Sequence, residues 1–348
     1  MTSRLCWLLI AVSLSVFGLG CLPELEDPPL TATGEAPAQW ELTGSGTTAA
    51  SGTVPMPTTC SGEFKGVLQD PAIDLSPPPC VVIGNVVVSS QPSAKLKALL
   101  SQVQSIQGTL EIHGDVALTT VLPKLTALIG LTVSGGGKGK VWAIPNQLKG
   151  LNSVSVLNTE FIRVEGGAGL LAMAQVAISQ NLSLIAISAL ADTKTLGGVN
   201  ISVNPMLVNL SIAPQVTELH TLDIHDNLQL KNVEPFNVLT QVSGSVIVDN
   251  CASLPHVYFL SELKSAQSLT LMRLNLSQID LPKLKQVGNL SVSHVDQLAS
   301  LKGLTTQVSQ SVRMCVAKLT CTAWSAWLQQ YAPGLSPLPC MGSAKCQP

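Results

Sequence analysis

An apolar residue, one intervening residue and a second apolar residue recur along most of the chain. The pairs are Val86/Val88, Leu110/Ile112, Leu131/Val133, Val154/Val156, Val176/Ile178, Val199/Ile201, Leu222/Ile224, Val246/Val248, Leu269/Leu271, Leu290/Val292 and Val312/Met314. Successive pairs start 21 to 24 residues apart. Period-two alternation puts both apolar side chains on one face of a short strand and the residue between them on the other. A strand that returns at constant spacing on a continuous coil lies parallel to its neighbours. No coil of that size buries its apolar face alone; stacking does it. The pattern therefore predicts a mainly β fold, a leucine-rich-repeat-like parallel β solenoid of about eleven coils over residues 83–314.

The fullest coil reads Leu219-x-x-Leu222-x-Ile224-x-x-Asn227, followed by Leu230. Asn181 and Asn204 fill the Asn227 slot in the two coils before it, and Cys251 fills it in the coil after. A buried amide there is expected to bond open backbone groups of adjacent turns, as a ladder. The chain has nine cysteines. Cys6 and Cys21 lie near the start, and Cys251 is explained by the repeat as buried and unpaired. The remaining six flank the array: Cys60 and Cys80 before it, Cys315, Cys321, Cys340 and Cys346 after it. In an exported protein these read as disulfides that stabilise the two ends. The four C-terminal cysteines allow three pairings. Residues 60–82 form the expected N-terminal cap and 315–348 the C-terminal cap. In the latter, Cys321 to Tyr331, with Trp324 and Trp327, suits a short helix lidding the last coil.

The runs Ile83-Gly84-Asn85-Val86-x-Val88 and Val287-Gly288-Asn289-Leu290-x-Val292 resemble the coils of receptor L domains, the leucine-rich ligand-binding domains of growth-factor-receptor ectodomains. Similar coils occur in bacterial lipoproteins. The resemblance spans roughly residues 80 to 315 and implies the solenoid fold far more than any activity. The Cys-rich module that separates paired L domains in animal receptors has no counterpart between Val133 and Val246. Whether the array is one solenoid or two L domains stays open, and no ligand-binding residue maps across.

Ahead of the array, Leu5 to Leu19 is an apolar run behind Arg4. It suits the core of a signal peptide, residues 1–20, and is short for a transmembrane helix. Gly18-Leu19-Gly20-Cys21 resembles a bacterial lipobox, although Gly18 stands where Leu is usual. That resemblance implies a lipid on Cys21, and Leu22 after it implies the outer membrane or cell surface. Ordinary signal-peptide cleavage, giving a secreted soluble protein, is the alternative. Residues 21–59 are rich in Pro, Thr, Gly, Ser and Ala and hold too little apolar surface to offset ordering entropy; they read as a disordered tether.

Composition sharpens this picture. Only 11% of residues are charged and 3% aromatic, against 46% hydrophobic. The apolar mass is aliphatic, as repeated thin layers require. The formal net charge is −2, so nothing marks a nucleic-acid partner. His113 and His225 lie five coils apart, more than 20 Å at about 4.8 Å per strand, too far to share a metal. His220, Asp223, His225 and Asp226 are the one local cluster and read as solvated surface. Gly135 to Lys140 fails the phosphate-loop pattern, because Val141 follows Lys140, and reads as a bulge. No cofactor site and no catalytic constellation stand out, so the chain is read as non-enzymatic. The outward strand positions Glu111, Thr132, Ser155, Asn200, Asp223, Thr270, Ser291 and Arg313 form the candidate binding face. Its expected ligand is a protein or a glycan. A structural envelope protein that packs laterally is the competing reading.

Overall fold

A computed structural model describes residues 60–337 except 73, 235 and 237. The leader, Cys21, the tether, Cys340 and Cys346 lie outside the described residues. What is described is a parallel β solenoid of about ten turns. One long sheet of fourteen strands runs from Glu63–Lys65 to Gln307–Cys315. A five-stranded sheet runs from Val141–Ile144 to Asn232–Val233, and a two-stranded one joins Gln278–Asp280 to Ser300–Gly303. Every strand pairing is parallel.

The apolar pairs set the register. Val86 is partnered with Leu110, Leu110 with Leu131, Leu131 with Val154, and so on without a slip to Leu290 and Val312. All these pair residues are buried, the most exposed being Met314 at 7%. A one-residue slip would turn a whole pair to solvent, and burying one such aliphatic side chain is worth about 1.5–3 kcal/mol. Eleven registered pairs enclose ten full turns, which is the difference between the coils read in the sequence and the turns of the fold.

Seven consecutive coils leave the long sheet through a non-glycine residue in the left-handed region. Asn158, Gln180, Val203, Asp226, Asn250, Arg273 and His294 all have φ between 50° and 59°. Their backbone N–H groups donate to the last strand residue of the next coil, for example Gln180 to Ser202 O at 3.1 Å and Asn250 to Met272 O at 3.0 Å. The next position is the predicted ladder. Asn204 Oδ1 accepts from the Asn181 N–H at 3.1 Å and from Asn181 Nδ2 at 3.0 Å. Asn227 Oδ1 does the same for Asn204 at 3.1 and 3.2 Å. Each Nδ2 also donates to a strand carbonyl of the preceding coil: Val156, Ile178 and Ile201. Thr159 starts the ladder, its Oγ1 bonding Asn181 Oδ1 at 2.7 Å. Cys251 ends it, fully buried and free, its Sγ 3.3 Å from Asp249 O. Burial pushes that thiol up to about 12, so it stays protonated and inert.

The parallel ladder starts earlier than the apolar pairs do. Glu63–Lys65 pairs with Val81–Ile83, and that strand pairs with Ser105–His113, so residues 60–82 already contribute one strand and the start of a second. Cys60 and Cys80 form a disulfide beside them, with Cα atoms 5.1 Å apart. At the other end, Cys315 and Cys321 are each disulfide-bonded. Helix Cys321–Tyr331 begins at Thr320, whose Oγ1 accepts from the Ala323 N–H at 3.2 Å. Its two buried tryptophans stack with ring centroids 5.5 Å apart. Trp327 Nε1 donates to Leu304 O at 2.7 Å, tying the helix to the last coil.

Candidate binding face

The predicted outward residues fall on one line across the long sheet. Glu111 is partnered with Thr132, Thr132 with Ser155, Asn200 with Asp223, Thr270 with Ser291, and Ser291 with Arg313. Ala177 fills the gap between Ser155 and Asn200, and Ile247 that between Asp223 and Thr270. The line is half-buried except at Arg313, which is exposed. Close strand spacing shields each small side chain with its neighbours, so the row is smooth.

A second feature runs alongside this line. The strands are kinked about three residues before it. Leu196 and Gly198 pair with the coil before, but Gly197 between them does not; Gln267 is likewise left out between Ala266 and Ser268. At several coils the kink presses one backbone on the next. A Cβ added at Gly197 would meet Ala174 O at 2.5 Å, and one at Gly288 would meet Gln267 O at 2.6 Å. Shallow grooves lie along the kink. One of about 450 Å³ lies over Ile129, Asn152 and Ala174. Another of about 540 Å³ lies near the C-terminal end, over Gln241, Gln267, Gln286 and Gln310. Reading the strands for their apolar pairs alone misses this strip. The glutamines at the strand starts, Gln241, Gln286 and Gln307, are the signal that would have drawn attention to it.

The edge where strands leave the sheet carries a polar network. His225 Nδ1 lies 2.8 Å from Asp223 Oδ1, and Asn200 Nδ2 donates to Asp223 Oδ2 at 3.3 Å. Ser202 Oγ donates to Asn200 Oδ1 at 2.8 Å. Two coils on, Arg273 Nε donates to Asp249 Oδ1 at 2.7 Å, and its second nitrogen holds Oδ2. Asn250 Nδ2 donates to Asp226 Oδ1 at 2.6 Å. The hydrogen bond that His225 Nδ1 donates to the Asp223 carboxylate raises the His225 pKa, against a lowering by burial, and the charges of Asp223, Asp226 and Asp249 add to the rise. His220 turns away from this group, its Nδ1 3.0 Å from Ser243 Oγ. The predicted four-residue cluster is thus split, and its carboxylates are engaged with partners from adjacent coils. Among the described residues, no group of three or more His, Cys, Asp and Glu is placed to hold a metal.

Gly135 to Lys140 is a tight turn. Gly135, Gly136, Gly137 and Gly139 all have positive φ, and a Cβ at Gly137 would strike the Phe161 ring at 2.2 Å. Lys140 pairs with Asp115. No protein-family model matches the chain, and no curated protein matches it in sequence.

Proposed function

We propose that the protein is a non-enzymatic lipoprotein of the cell envelope, held by lipid on Cys21 and displayed on the tether of residues 21–59, which recognises or adheres to a ligand through the outer face of its long sheet. The observation that carries this reading is the unbroken line from Glu111 to Arg313, flanked by a grooved strip, on a sheet whose other face is the core. Such a face offers many weak contacts in fixed register, the way extended repeat surfaces bind. Among the described residues no helix is long and apolar enough to cross a membrane; the attachment proposed here rests on the lipobox-like run Gly18-Leu19-Gly20-Cys21.

The test is protease treatment of intact producing cells, beside a Cys21→Ala variant. The reading expects the native protein to be shaved from the surface and the variant to be released or mislocalised. Protection until the envelope is opened would withdraw surface adhesion and favour a structural role inside the envelope.

A further inference from the structure

We propose that the C-terminal groove of the long sheet is a subsite for a linear, uncharged oligosaccharide lying along the solenoid axis. This deepens the recognition reading and uses only its claim that the outer sheet face is the binding surface.

The groove is formed where four consecutive strands kink. Gln241, Ser265, Gln286 and Gln307 are in-register partners across those strands. Gln267 and Gln310 stand beside them at the kink, and Gly288 leaves room for the Gln310 amide, which a Cβ there would crowd at 3.2 Å. The buried Val242, Ala266 and Val287 make an aliphatic floor. Nothing lining the groove is charged. The side chains of Gln241, Gln267 and Gln286 are exposed and make no hydrogen bond to the described residues.

Three properties select the ligand. A groove without charge gives a phosphate, a nucleic acid or an acidic glycan no counter-charge. A groove without exposed large apolar side chains gives an amphipathic helix no anchor. What it offers is carboxamides, each two donors and an acceptor, which suit hydroxyl groups that both donate and accept. The spacing then separates sugar from peptide. Coils rise about 4.8 Å, near the advance of one pyranose ring in an extended glycan, whereas an extended peptide rises about 3.3 Å per residue and falls out of step. Three coil steps span about 14 Å at that rise, enough for three to four rings. With no aromatic platform the subsite binds weakly and gains by chain length.

The purified full-length chain is titrated by saturation-transfer NMR with four neutral hexasaccharides: β-linked glucan, α-linked glucan, mannan and chito-oligomer. A hexameric uronate and an extended Gly/Ser peptide are the comparisons. The expected result is binding of at least one neutral hexasaccharide, at least tenfold tighter than its monosaccharide. Gln267→Ala/Gln286→Ala should weaken it at least tenfold with unchanged circular dichroism. Asn152→Ala, in the other groove on the strip, should not. No neutral binding at about 10 mM, binding indifferent to the glutamine pair, or uronate binding as strong overturns the proposal. Glutamine-dependent peptide binding replaces sugar with peptide. None of these outcomes depends on export or lipidation, and the cell-shaving test does not depend on a ligand, so the two readings fail separately.

Discussion

Asn204 touches three coils through one amide. Its Oδ1 accepts from the backbone and side chain of Asn181, and its Nδ2 donates to Ile178 O and to Asn227 Oδ1. Removing it orphans the buried Asn181 N–H and takes one partner each from Asn181 Nδ2, which keeps Val156 O, and from the Ile178 carbonyl. Each orphaned group costs about 1–3 kcal/mol. Asn204→Ala is therefore expected to lower unfolding stability by about 1–3 kcal/mol, read as a shifted urea midpoint; an unmoved midpoint would deny the ladder its role. His225 provides the pH-dependent counterpart. Its pKa is raised in the fold, so the stability it confers is complete below its unfolded value of about 6.5 and is lost as pH rises through the folded value. The pair is part-exposed, so the effect is at most about 1 kcal/mol, or about 2 °C in melting temperature for a chain of this size. Native protein should lose that much more than His225→Gln between pH 6 and pH 8 in thermal melts. Identical pH dependence in the two would remove the interaction from the account.

At the scale of elements, the strands are held by register and the ends by special pieces. Helix Cys321–Tyr331 packs Trp324 and Trp327 on the last coil, and the Trp327 Nε1 bond satisfies the Leu304 carbonyl. An uncapped coil would expose strand backbone and aliphatic surface together. Trp327→Ala should therefore cost about 3–5 kcal/mol and open the C-terminal coil first. Hydrogen exchange should show faster amides over Gln307–Cys315 while the central strands keep their protection. Uniform loss across all coils would mean that the helix acts on the whole array rather than as a local lid. Trp327→Phe keeps most of the packing and separates the lost hydrogen bond from the lost volume.

For the whole molecule, what was legible follows from what repeats. The apolar pairs were readable because the same two positions must face inward in every coil, and all of them do. The Asn181–Asn204–Asn227–Cys251 slot was readable because backbone groups at that corner need a side-chain partner in coil after coil. The helix was readable from two tryptophans at helical spacing. The kink was not, because no one residue type makes it: Gly197 and Gly288 occupy it in two coils, Gln267 and Asn152 in others. The polar edge was hidden for a related reason. Asp249 and Arg273 are 24 residues apart and sit at different positions of the repeat, so only the stacking brings them together. The strand Glu63–Lys65 is three residues long, too short for alternation to register.

The common register of the eleven inward pairs also makes the whole coil the natural unit of change along the long sheet. Gaining or losing one coil moves every later residue by one step of about 4.8 Å and leaves the inward pairs, the corners and the outward line aligned. A change of one residue is instead taken up locally within a strand, as where the pairing shifts between Ile106 and Thr109, Val242 and Ser245, and Val287 and Asn289, and the inward pairs beyond it return to register. Reach can thus be set by counting coils in this architecture while the chemistry of each coil stays the same.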